Sequence, residues 1–160
     1  MKKVVVSLLT LAVALSASAS AFAAEPAKNM KSSQKAAASV TDPYEPNDSV
    51  AFAPYINSNV SYTAAINHYR DSDYFNFYAK PGTFNFAFSS LSSSTEPITI
   101  LVRKPTGAFL HRVVTKGNTS FSVDIPEEGQ YSIYLGTPNA ILDNRPIEPI
   151  PYSFKAIFNQ

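Results

Sequence analysis

The run Asp73-Tyr74-Phe75-Asn76-Phe77-Tyr78-Ala79, the turn Lys80-Pro81-Gly82, and the run Thr83-Phe84-Asn85-Phe86-Ala87-Phe88 decide the fold. The period is two on both sides of the turn. Residues two apart share one face of a strand, so Phe75, Phe77 and Ala79 point one way while Tyr74, Asn76 and Tyr78 point the other. After the Pro-Gly break, Phe84, Phe86 and Phe88 resume an apolar face at the same spacing. Aromatic faces of this kind must be covered, and a second sheet does so.

Working outward, the same alternation recurs. Val60, Tyr62, Ala64 and Ile66 alternate with smaller or polar residues. Ile98, Ile100 and Val102 make another inward face. Lys104-Pro105-Thr106-Gly107 is turn chemistry, so Phe109 to Thr115 is expected to pair back antiparallel. Phe121, Val123 and Ile125 follow, then a turn from Pro126 to Gly129, then Tyr131, Ile133 and Leu135. Tyr152, Phe154, Ala156 and Phe158 close the chain after a proline-stiffened loop from Pro138 to Pro151. No stretch of ten residues carries helical periodicity. About eight short strands with regular turn signals predict an all-β, antiparallel β-sandwich, jelly-roll-like in kind. One helical feature is expected, a short turn of helix over Val50 to Ala53 capped by Asp48 or Ser49 and ended by Pro54. Ala53, Tyr55 and Ile56 are then expected to tuck under the sandwich.

The 160 residues suit one folded domain, here placed at residues 42–160. Lys2 and Lys3, an apolar run from Val4 to Leu15 too short to span a bilayer, and Ala21-Phe22-Ala23 read as a signal peptide over residues 1–24 of bacterial type. Residues 25–41 hold three lysines, three serines and an alanine run with few large apolar groups, which reads as a flexible linker. The protein is therefore expected to be secreted. Removing Lys2 and Lys3 takes Lys+Arg from 13 to 11 against 12 acidic residues, a net charge near −1. That excludes nucleic acid, and a membrane surface after leader cleavage, as general electrostatic partners. There is no cysteine, so the secreted chain holds itself by its core and by whatever it binds.

Chemistry gathers in two places. Tyr44-Glu45-Pro46-Asn47-Asp48-Ser49 carries three oxygen-bearing side chains within four residues, and Asp71-Ser72-Asp73 answers it at the mouth of an aromatic strand. Hard oxygens converging from two loops are what Ca²⁺ requires, at about 6 to 8 ligands. Clusters of Asn, Asp and Ser also make turns and caps, and the pattern alone leaves both readings open. Tyr74, Tyr78 and Tyr134, opposite the inferred core, form a second candidate site, an aromatic face able to hold an extended ligand. Ordinary β-propensity accounts for outward tyrosines equally well. Arg103, Lys104, Arg112 and Lys116 lie near one hairpin and read as a solvated basic face.

Taken together, Tyr44 to Ser49, then Asp71-Ser72-Asp73-Tyr74-Phe75-Asn76-Phe77, then Gly129-Gln130-Tyr131-Ser132-Ile133-Tyr134 resemble the bacterial pre-peptidase C-terminal (PPC) domain family, which includes the collagen-binding domains of clostridial collagenases. The similarity runs from about Asp42 to Phe158. It implies a small secreted β-sandwich and a calcium site with Glu45, Asn47, Asp48, Asp71 and Asp73 as ligands. It also implies a ligand face of surface tyrosines on the strands. The family carries a further acidic residue two positions before the glutamate, where this chain has Pro43, which puts a second ion in doubt.

The function expected is a non-catalytic, calcium-stabilised binding or accessory module. Its partner would be an extracellular protein or polymer, collagen-like or polysaccharide, or a secreted protease. The alternative is a protease inhibitor or regulator acting through the proline-rich loop from Ile141 to Tyr152, or a folding and secretion helper for a separately encoded enzyme. An enzyme is not expected. The chain has no Gly-x-Ser-x-Gly elbow, His-Glu-x-x-His or P-loop, and its two histidines, His68 and His111, read as surface or rim residues.

Overall fold

A computed structural model describes residues 41–138 and 147–160 of the chain. The leader, nearly all of the linker and residues 141–146 of the proline-rich loop lie outside the described residues. Eight strands follow one another: β1 (Ser61–Ile66), β2 (Ser72–Ala79), β3 (Gly82–Ser90), β4 (Ile98–Arg103), β5 (Phe109–Thr115), β6 (Thr119–Ile125), β7 (Gly129–Gly136) and β8 (Ile150–Ile157). Among the described residues there is no helix long and apolar enough to cross a membrane.

The strands form two four-stranded antiparallel sheets, ordered β1-β8-β3-β6 and β2-β7-β4-β5. This is the eight-stranded jelly-roll order, the expected fold class. The run that announced it divides between the sheets: β2 lies in one, β3 in the other, and Pro81-Gly82 carries the chain across. Gly82 sits at φ 143°, and a Cβ there would strike the Asn159 amide.

The alternating faces meet in one core. Phe75 and Phe77 from β2 are fully buried with Tyr131, Ile133 and Leu135 from β7 and Ile100 and Val102 from β4. Facing them are Phe84, Phe86 and Phe88 from β3 and Tyr152, Phe154 and Ala156 from β8. Rings interlock across the layer, with Phe75 edge-on to Phe154 at 4.8 Å and Phe77 stacked on Phe84 at 5.0 Å. Each such side chain contributes about 1.5–3 kcal/mol by burial. Phe121, on the edge strand β6, is only half buried, and the His111 ring stacks on it at 4.2 Å.

The segment before β1 departs from expectation. Residues 49–52 form a turn rather than a helix, closed by the Phe52 amide on the Ser49 carbonyl at 3.1 Å. Pro54 disfavours helical geometry at Ala53, and the backbone beyond finds its partners on β2 instead. The Asn76 amide donates to the Pro54 carbonyl and the Ile56 amide to the Asn76 carbonyl, both at 2.8 Å. Tyr55 thereby pairs parallel with Asn76. Alternation then turns Ile56 into the core and Tyr55 outward at 62% exposure, so Tyr55 does not tuck under the sandwich. Asn76 lies on the outer face of β2 as its spacing predicts, yet it is buried. Its side-chain amide donates to the Val50 and Ala53 carbonyls, and the turn covers it.

Candidate functional site

β1 ends at Ile66 and β2 begins at Ser72, and the short connection between them is held by Asp71. Its Oδ2 accepts the Asn67 amide at 2.5 Å, and its own amide donates to the His68 carbonyl at 3.1 Å. Two residues on, Asp73 takes the inward position of β2, one step beyond Phe75, so a carboxylate terminates a row of core aromatics. The preceding segment reaches this end of the sandwich because the Asn47 carbonyl accepts the Tyr74 amide at 3.0 Å. Glu45 is carried with it. One carboxylate oxygen each from Glu45, Asp71 and Asp73 lies within 4.8 Å of the other two.

This is costly without a counter-charge. At an effective dielectric of about 20, two full charges at that separation repel by roughly 3–4 kcal/mol. Protonation relieves it. Burial, assisted by the neighbouring carboxylates, pushes Asp73 up to about 8 against the opposing pull of the Tyr152 hydroxyl, and pushes Asp71 up to about 6 against that of the Asn67 amide. Tyr152 is wholly buried and its hydroxyl donates to Asp73 Oδ2 at 2.5 Å. The same burial, beside Asp73, holds the Tyr152 phenol well above its ordinary value.

The polar inventory is incomplete in a way that fits a cation. Asp71 Oδ1, Asp73 Oδ1 and the Oδ1 of the fully buried Asn47 have no hydrogen-bond partner, and the Asn47 Nδ2 donor, which a cation would not meet, has none either. Buried groups of this kind are normally satisfied, and their orphaning needs a cause. Two oxygens on one Ca²⁺ at about 2.3–2.6 Å stand at most about 5 Å apart, which the carboxylate trio satisfies. The donors are all oxygen, with neither imidazole nor thiolate, the set that hard cations take. Glu45, Asp71 and Asp73 thus fit the group.

The other expected ligands fare differently. Asn47 is fully buried and near Glu45 in sequence; its backbone amide donates to Glu45 Oε2 at 3.1 Å, while its side-chain amide has no partner. Asp48 does not belong to the trio: its Oδ1 accepts the Ser72 amide at 3.1 Å and fixes the first residue of β2. Asp42, one residue before Pro43, is nine-tenths buried and accepts two backbone amides, Tyr44 at 2.8 Å and Ala65 at 3.0 Å. It ties the leading segment to β1. Tyr152 was invisible as a site residue because alternation marks it as core and nothing in β8 announces a carboxylate partner.

The aromatic face also resolves into parts. Tyr74 and Tyr134 are cross-strand partners on the outer face of β2 and β7, with rings 5.2 Å apart at 62°. Tyr78 stands apart, half exposed, its hydroxyl donating to Glu128 at 3.2 Å. What joins Tyr74 and Tyr134 is Arg103, whose guanidinium carbon lies 5.7 Å from each ring centroid and 5.0 Å from that of Phe109. Arg103 is therefore half-buried among aromatic rings rather than simply solvated. Its Nε is shielded from solvent and has no acceptor. A cleft of about 400 Å³ opens beside it between Tyr74, Tyr134, Phe109 and Arg112.

No protein-family model matches the chain, and no curated protein matches it. Solved structures do. The pre-peptidase C-terminal domain of a collagenase from Bacillus anthracis aligns with 65% of this chain and 93% of its own at a TM-score of 0.50, with 13% identity. A periplasmic inhibitor of g-type lysozyme from Aeromonas hydrophila aligns with 66% and 95% at 0.48 and 17%. A surface-associated copper-binding protein from Methylomicrobium album BG8 aligns with 66% and 97% at 0.49 and 11%. At such identities the likeness is one of fold, and the fold of this chain is that of the collagenase pre-peptidase C-terminal domain.

Proposed function

We propose that the chain is a secreted, non-catalytic binding or accessory module whose leading segment is clasped to the sandwich by one calcium ion. The observation that carries this reading is the convergence of Glu45, Asp71 and Asp73 at one end of the core, with the unspent Asn47 side-chain amide near Glu45 in the chain. Glu45 arrives on the segment before β1, while Asp71 and Asp73 belong to the entry of β2. Bound calcium would supply the positive charge that lets Asp71 and Asp73 ionise where they stand. Asp48 and Asp42 position the segment through backbone amides and leave the trio free to face one another. The role proposed is a staple.

The partner proposed is an extracellular protein or polymer engaged by the outer face of the β2-β7-β4-β5 sheet. That face carries exposed or half-exposed tyrosines, which bring large contact area at small entropic cost. The test is thermal unfolding of the processed protein with saturating calcium and with chelator. Calcium raises the melting temperature of the parent and not of Asp71→Asn. Identical melting of the parent in both conditions removes the staple.

A further inference from the structure

We infer that the cleft centred on Arg103 binds the carboxylates of an acidic polypeptide segment. This rests on the reading of the chain as a binding module and names what its outer face selects. The registers place the site. Asn76, Ser132 and Arg103 lie in one cross-strand row over β2, β7 and β4, and Tyr74, Tyr134, Leu101 and Arg112 in the next over β2, β7, β4 and β5. Arg103 stands where the rows meet and lines two adjoining clefts, one of about 400 Å³ shared with Arg112 and one of about 230 Å³ shared with Asn76 and Ser132.

A guanidinium is a planar fork suited to bidentate capture of a carboxylate. Three aromatic rings hold this one in place, so little freedom remains to be lost on binding. Among the described residues it forms no ion pair, since Lys104 with Glu127 makes the one such bridge there. Its Nε is withdrawn from water without an acceptor, a deficit that an incoming carboxylate oxygen would meet. Arg112 is exposed at the far side of the larger cleft and carries no opposing carboxylate, which sets a second positive charge for a second acidic group.

Geometry favours polypeptide over acidic polysaccharide. The Tyr74 and Tyr134 rings meet at 62°, so they offer no flat platform on which a sugar ring could lie. Beyond the larger cleft runs β5, the edge strand of its sheet, and edge strands are where extended chains add.

The experiment titrates the calcium-saturated protein with capped hexaglutamate, capped hexaglutamine and an oligogalacturonate, reading the Arg103 Nε–Hε resonance and tyrosine fluorescence. Hexaglutamate moves the Arg103 signal, binds at least tenfold more tightly than hexaglutamine and weakens as salt rises. Arg103→Lys, which keeps the charge but loses the fork, lowers that affinity tenfold or more, and Arg112→Ala lowers it severalfold with melting unchanged. Equal binding of the two peptides, an unmoved Arg103 signal or preference for the oligogalacturonate overturns the proposal. Thermal melting with calcium and with chelator, run beside the titration, separates the readings: failure of the staple appears as calcium-independent melting, failure of this site as an indifferent Arg103.

Discussion

Calcium binding at pH 7 should expel close to one proton per ion. In the metal-free protein Asp73 titrates at about 8 and Asp71 at about 6. At neutral pH the first is then about 90% protonated and the second about 10%. Oxygen ligands bind a cation in their ionised form, so both protons must leave, and the two fractions add to about one. The apparent affinity should rise about tenfold for each pH step between 6 and 8 and level off above 8. The consequence for stability has a definite sign. Both carboxyls have folded values above their unfolded 3.8, so the metal-free fold is favoured in acid and loses that advantage as pH rises from about 4 to about 8. Calcium bound as proposed would cancel the loss. At ten times its dissociation constant the ion contributes about 1.4 kcal/mol, a rise of about 5 °C in melting temperature for a domain of this size. The increment should vanish near pH 5 and grow toward pH 8. Titration calorimetry in buffers of different ionisation enthalpy reads the proton count directly. A count of zero at pH 7, with affinity flat from pH 6 to 8, would refute the argument by showing the carboxylates already ionised.

Further outcomes follow from neighbouring residues. Asp42→Ala removes the acceptor of two backbone amides, one of them buried at Ala65, and should cost about 3 kcal/mol in denaturant unfolding. Faster hydrogen exchange at Ala65 would locate the damage. Tyr152→Phe keeps the buried ring and deletes the hydroxyl that holds the Asp73 value down. It should raise that value further, so calcium affinity at pH 7 falls while more proton is released per ion, both readable by the same calorimetry. In Gly136→Ala the new Cβ would strike the hydroxyl end of the Tyr134 ring. The displaced ring should loosen Arg103 and reduce hexaglutamate affinity threefold or more, with the calcium response unchanged.

Much of this was legible because alternation is a strong local signal. Phe75, Phe77, Phe84, Phe86 and Phe88 all point where a period of two sends them. The sheet order was not legible, since nothing in Pro81-Gly82 says whether the next strand pairs with β2 or crosses to the opposite layer. The acidic residues were found by type and spacing, yet sequence could not apportion them. Asp48 and Asp71 look alike on paper, and only the direction in which the backbone amide of Ser72 points makes one a strand anchor. Asp42 and Tyr152 escaped for a common reason. Each acts through a partner more than twenty residues away, Ala65 and Asp73 respectively. Arg103 was misread because a cation beside a turn is normally solvated, and the rings that enclose it come from three separate strands.

The strap that leads into β1 has a meaning for solubility. β2 is the outermost strand of its sheet, and an uncovered outer strand invites pairing with a second molecule. Here its outward amides at Tyr74 and Asn76 and the Asn76 carbonyl are already engaged by Asn47, Pro54 and Ile56. Lifting the strap would leave the Phe-rich interior largely intact while baring an adhesive margin. A lesion in Asp42, or in the acidic trio, is therefore expected to surface first as self-association and only later as melting.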